Sequence, residues 1–233
     1  MLKTLIGVYK SRIEKQRGFF GHAGRPGERG GSAPKGEGGK EEGTSKVKES
    51  VRSADRTLDR WDSVISQYGA SSSHARDAVK DESGKKSLQF NIKAGYPEIP
   101  EKVSSYAEQK GSDEVDQVYW QHHSDKTDEL ISEIRDKVPE TGDIGVAGRS
   151  GGWLVVNVPD RGTDLDQSIY EVNQERDITS ADIKYLKESA SGVEDLCDRI
   201  ESIPNMISGK ISELKSDLGS DKWWKKKFPE AYK

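Results

Sequence analysis

With 233 residues, 31% of them apolar and 33% charged, the chain falls well short of the roughly 45–50% apolar content of an average globular domain, so its core must be thin. A net charge of −4 excludes a global basic field drawing it to nucleic acid or a membrane surface. A lone cysteine, Cys197, excludes an intramolecular disulfide framework and fits a reducing compartment. The mean hydropathy is −0.87, and no run approaches the roughly 18 apolar residues of a membrane helix. The opening MLKTLIGVYK is also too short for the apolar region of a signal peptide.

Residues 1–17 pattern as a basic amphipathic helix. Leu2, Leu5, Ile6, Tyr9 and Ile13 share one stripe, and Lys3, Lys10, Arg12, Lys15 and Arg17 cover the rest. Such a helix docks on its own protein or a neighbour, or lies on a membrane or nucleic acid. Residues 18–45 are low-complexity and read as a flexible or partner-ordered arm. Glycine recurs at 18, 21, 24, 27 and 30, a collagen-like period too short to hold a trimer.

Residues 46–68 are the clearest helix. Val47, Val51, Ala54, Leu58, Trp61, Ile65 and Tyr68 alternate at spacings of four and three, with Thr44 or Ser45 as the cap and Gly69 as the stop. After a polar loop over 70–86, Leu88, Phe90 and Ile92 alternate with polar residues, predicting a half-buried strand over 87–93. Residues 101–138 read as helix, broken at Gly111 and ended by Pro139, with an irregular face of Val115, Val118, Tyr119, His122, Leu130, Ile134 and Val138.

DIGVAGRSGGWLVVNV, residues 143–158, is the one stretch that reads as buried sheet: two short strands around a glycine-rich turn. Pro159–Gly162 is a turn, and Leu165, Ile169 and Val172 open a helix. Thr179 and Asp182 have capping-box spacing. A second seam follows through Ile183, Leu186, Ala190, Val193, Cys197 and Ile200; Pro204 interrupts it, and Ile207, Ile211, Leu214 and Leu218 resume it. The two seams pair either as an antiparallel layer within the chain or as a coiled coil between subunits.

Two glycine-rich pieces carry a resemblance. GHAGRPGERGGSAP, Gly21 to Pro34, resembles a Gly-Arg-Pro-Gly-x-x-Gly-Gly-Ser signature of proteins from the head-gene region of tailed bacteriophages. AGRSGGWLVV, residues 147–156, resembles a motif of uncharacterised tailed-phage proteins, in which one charged helix precedes it and another follows. The resemblance implies a phage protein found in the virion or the host cytoplasm. It assigns no chemistry to any residue.

Read as chemistry, Gly148-Arg149-Ser150-Gly151-Gly152 matches the letters of a nucleophile elbow. The elbow needs a helix after its turn and a histidine later in the chain; here a strand follows, and the last histidine is His123. The same five residues can instead form a nest of amides that, with Arg149, takes an anion or a nucleic-acid backbone. His122 and His123 lie about 100° apart on a helix and share no metal-binding face. His22, His74 and Cys197 add no ligand spacing, so neither a metal nor a cofactor is expected. Trp223, Trp224 and Phe228 beside Lys225, Lys226 and Lys227 form an aromatic, basic tail that docks on its own fold or a neighbour, or stacks on bases.

These readings predict an α+β fold in which a small antiparallel sheet, the hairpin around 144–158 plus the strand at 87–93, is covered by long, partly heptad-patterned helices. The domain runs over 46–218 and the tail over 219–233. The expected function is non-enzymatic: protein–protein interaction in virion structure or assembly, with other phage proteins or copies of itself as partners, as a homo-oligomer or part of a larger assembly and without a membrane. The alternative is a nucleic-acid-associated accessory protein using Arg149 and the basic ends.

Overall fold

A computed structural model describes residues 38–80, 84–148, 152–174 and 178–233, and for 38–44 the backbone alone. The amphipathic segment 1–17 and the arm up to residue 37 lie outside the described residues. The chain divides into two compact units, Met1–Glu41 and Glu42–Lys233; the second carries the fold described below.

The fold is α+β, as expected. Helix α1 (Gly38–Tyr68) begins well before the predicted start, so Thr44 and Ser45 lie inside it rather than capping it. Lys40, Glu41 and Glu42 are good helix formers, and once a turn exists each further residue adds one bond at little cost. A short helix α2 (Ser73–Asp77) stands in the stretch read as loop, with the Ser72 side chain accepting from the Ala75 amide. Then follow β1 (Lys85–Asn91), α3 (Glu101–Lys110) and α4 (Asp113–Lys137). The α3–α4 break falls at Gly111, whose φ of +104° is a conformation glycine adopts readily and other residues rarely. Strands β2 (Ile144–Ala147) and β3 (Trp153–Pro159) precede α5 (Arg161–Gln174), α6 (Ser180–Leu218), α7 (Asp221–Lys227) and a closing 3-10 turn, Pro229–Tyr232.

The sheet order is β1-β3-β2, antiparallel throughout. Leu88 and Ile144 flank Val156, and Phe90 and Val146 flank Leu154. The central strand reads as a continuous apolar run because both its faces are covered. Leu154, Val156 and Val158 enter the main core with α1 and α4–α6, while Val155 packs with Ala75, Val79 and Ala147 on the other side. Asn157 is the buried polar exception. It accepts from Ser87 Oγ at 2.7 Å and donates to the Lys80 carbonyl at 2.7 Å, which ties the 70–80 segment to the sheet.

Both seams bury their apolar side chains in one core within the chain. Leu58 and Trp61, with Val64, share that core with Leu186, Val193, Leu196, Cys197 and Ile200. At about 1.5–3 kcal/mol for each large side chain removed from water, this shared core is a major part of the stability. Along its edge the Arg60 guanidinium is held by Glu194, Asp198 and Glu201. The Trp61 indole lies against Gly162, where a Cβ would come within 2.0 Å of Cδ1; the start of α5 can seat there only without a side chain. The capping box at Thr179 and Asp182 forms as predicted.

At Pro204 the prediction is corrected, because α6 runs unbroken through it. Proline deletes one helical hydrogen bond and crowds the preceding turn. Here Ile200, Ile203 and Ile207, all buried, hold the turn on both sides in the core. Cys197 is fully buried, and burial pushes its thiol up to about 11, consistent with a core residue.

Candidate interaction face

A second core lies at the other end of α4. Val103, Val115, Leu214, Leu218, Trp224 and Phe228 form it, with Val118, Tyr119, Trp223 and Tyr232 partly buried around them. Residues 219–233, read as a separate tail, thus complete the fold. Ser220 caps α7. The buried Trp224 donates its indole N–H to the Leu218 carbonyl at 2.7 Å, and Tyr232 donates to Asp221 at 2.9 Å. Lys227 sits over the Trp223 ring, and Lys225 and Lys226 face solvent.

The helical period decides what the first half of α4 shows to water. Val115, Val118, Tyr119 and His122 face this core, so the stripe of Asp113, Asp116 and Trp120 is turned outward and exposed. Trp120 remains 47% exposed. Beside it stands Tyr96, 71% exposed, on the extended stretch between β1 and α3. The stretch is tied down along its length: the Ile92 amide donates to the Gly152 carbonyl at 3.0 Å, Tyr119 Oη donates to the Pro97 carbonyl at 3.5 Å, and Ala94 and Ile99 pack against the second core.

The rings form one connected group. Tyr96 meets Trp120 edge to face with centroids 6.0 Å apart; Tyr119 meets Trp120 at 5.2 Å and 81°. His123 packs on both Tyr119 (4.9 Å) and Trp120 (5.2 Å). Its Nε2 is buried without a hydrogen-bond partner, and burial, then the neighbouring His122, lowers its pKa. A neutral His123 therefore backs the Trp120 ring. The adjacent histidines diverge as the helix geometry requires, with His122 turned to Asp217 (3.0 Å) and the Trp223 ring.

The carboxylates of this half are open. Among the described residues neither Asp113 nor Asp116 has an ion-pair partner. In the second half Lys210, nearly buried, reaches Glu133 at 2.7 Å and Glu129 and Glu213 at 3.3 Å, while Lys126 adds contacts to Glu129 and Glu213. The pKa of Lys210 is raised, first by the hydrogen bond it donates to Glu133, and that of Glu129 is lowered, first by the hydrogen bond it accepts from Lys126.

Of the loop singled out as an anion nest, Gly148 and Gly152 are described and Arg149, Ser150 and Gly151 are not. Gly148 has the positive φ (+93°) of a turn, and Trp153 beside it is partly exposed. Gly148 and Gly152 stand at the turn end of the hairpin, and the tail is built into the second core. The sequence thus pointed to two separate places and not to Tyr96 and Trp120. A tryptophan one step off the apolar stripe of α4 was the available signal. Among the described residues no group of three or more His, Cys, Asp or Glu side chains is placed to hold a metal, and no helix is long and apolar enough to cross a membrane.

No protein-family model matches the chain, and no match was found among curated proteins or solved structures.

Proposed function

We propose that the protein is a non-enzymatic interaction protein of a tailed phage, acting in virion structure or assembly, and that it binds through the Trp120–Tyr96 face. The observation that carries the binding surface is the pair of large aromatic rings left in water on fixed backbone, at a helix face whose carboxylates Asp113 and Asp116 have no ion-pair partner among the described residues. Tryptophan and tyrosine dominate the energetics of protein interfaces because they bury a large area at small entropic cost. The phage assignment is supported by the two glycine-rich motifs at 21–34 and 147–156. Copies of the chain and other virion proteins are both admissible partners; the seams call for no second copy, since both bury their apolar residues in one core within the chain.

A nucleic-acid role through Arg149 and Lys225, Lys226 and Lys227 draws less support. Of the three rings that would stack on bases, Trp224 and Phe228 are buried in the second core and Trp223 is partly buried, with Lys227 over it. The test uses full-length protein immobilised in extract from producing cells, together with mass spectrometry of purified particles. Presence in particles, and retention of a virion protein by the wild type that is lost with Tyr96→Ala and Trp120→Ala, is expected. Absence from particles, retention indifferent to both variants, or steeply salt-sensitive retention of nucleic acid contradicts the reading.

A further inference from the structure

We infer that the partner of the Trp120–Tyr96 face is a cationic protein segment, rich in arginine or lysine, whose side chains lie over the two rings while Asp113 and Asp116 meet their charge. This rests on the face being an interaction surface, as proposed above, and specifies what it takes.

Three observations converge. Trp120 and Tyr96 offer exposed rings, and tryptophan is the best aromatic partner for a guanidinium or ammonium group. On the same outward stripe, one and two turns before Trp120, stand Asp116 and Asp113, without ion-pair partners among the described residues; Lys110, the nearest cation before them in sequence, does not pair with them either. The charge of the body has the matching sign. Residues 1–37 hold eight basic and three acidic side chains, so +5 of the total of −4 sits there and −9 on the remainder.

The helix dipole accounts for acids in the first turn of α4. It gives no reason for Trp120 and Tyr96 to stay in water. An acidic partner would meet Asp113, Glu114 and Asp116 at close range, and a purely apolar one would have to strip water from them without compensation. A cationic segment satisfies rings and carboxylates together.

The test is a titration of the full-length chain, followed by calorimetry, with three peptides of equal length: arginine-rich, glutamate-rich and leucine–alanine. The arginine peptide is expected to bind and the other two not. Trp120→Ala, and separately Asp113→Asn with Asp116→Asn, should each weaken it at least about fivefold. Glu49→Gln with Asp166→Asn, which removes the same charge from α1 and α5, should weaken it by less than about twofold. Asp113→Glu with Asp116→Glu should restore binding to near the wild-type level. All substituted positions are exposed, and an unchanged circular dichroism spectrum confirms the fold. No arginine-peptide binding, or an equal loss from the two charge-matched pairs, overturns the inference. If extract retention depends on Trp120 yet is untouched by Asp113→Asn with Asp116→Asn, the interaction face stands and its cationic specificity falls. If retention is indifferent to Trp120, the face itself falls.

Discussion

Helix α4 has two halves that treat the same residue types in opposite ways. From Lys126 to Lys137 the carboxylates Glu129 and Glu133 are closed around Lys210 and Lys126, and the apolar side chains Leu130 and Ile134 lie in the main core. From Asp113 to His123 the carboxylates Asp113 and Asp116 are open, and an indole stands in solvent beside a tyrosine. The second half fastens Glu129 and Glu133 to Lys210 and Lys126. The first leaves an indole and two carboxylates in water beside an exposed tyrosine, and the proposed docking surface rests on that difference.

Substitutions that move side chains across that division should separate the halves sharply. The largest effect belongs to the core beneath the open half. Trp224→Ala removes a fully buried indole and the hydrogen bond to Leu218, and should cost about 3–5 kcal/mol in denaturant unfolding, a large share of a typical domain's stability. In the closed half, Lys210→Ala leaves Glu129, Glu133 and Glu213 facing one another with only Lys126 among them. A loss of roughly 1–2 kcal/mol is expected, falling at high salt as the like charges are screened.

The two halves should also separate along the pH axis. Burial depresses the pKa of His123, so below about pH 6.5 the unfolded chain takes up a proton that the folded chain refuses. Stability is full above that pH and declines as pH falls toward the folded value. Glu129 and Glu213 are lowered by their lysines; their contribution is present above about pH 4.5 and is lost as pH falls through their folded values. Thermal unfolding followed against pH should therefore show a decline in the open half's window that His123→Phe removes, and a second, more acidic decline that it leaves. The smallest effect is on the stripe itself. Asp113→Asn with Asp116→Asn should change stability by at most about 1 kcal/mol, the scale of the helix dipole.

The sheet end of this molecule was legible in sequence because its signals are local and regular. Leu88 and Phe90 alternate, Leu154 to Val158 run apolar around Asn157, and the seams through Leu58 and Leu186 keep one period over many turns. The second core was not legible, because it is assembled from pieces without a period of their own. Trp224 lies in a seven-residue helix after Gly219 and Phe228 at its end, and their partners Val103, Val115 and Leu218 lie on three other helices. Pro204 misled for a related reason: local propensity opposed the helix, and burial of Ile200, Ile203 and Ile207 overrode it. The proposed face was invisible as a site since it rests on exposure, and exposure of Trp120 becomes visible only when the neighbouring stripe of α4 is seen to be covered.

Hydroxyl-radical footprinting of the full-length chain, alone and in extract from producing cells, tests most directly whether the open half of α4 is a docking surface. Trp120 and Tyr96 should lose reactivity several-fold in extract, while Tyr170 and Tyr185, which are also exposed but lie on α5 and α6, should keep theirs. Equal protection of all four rings, or protection of none, would contradict the account.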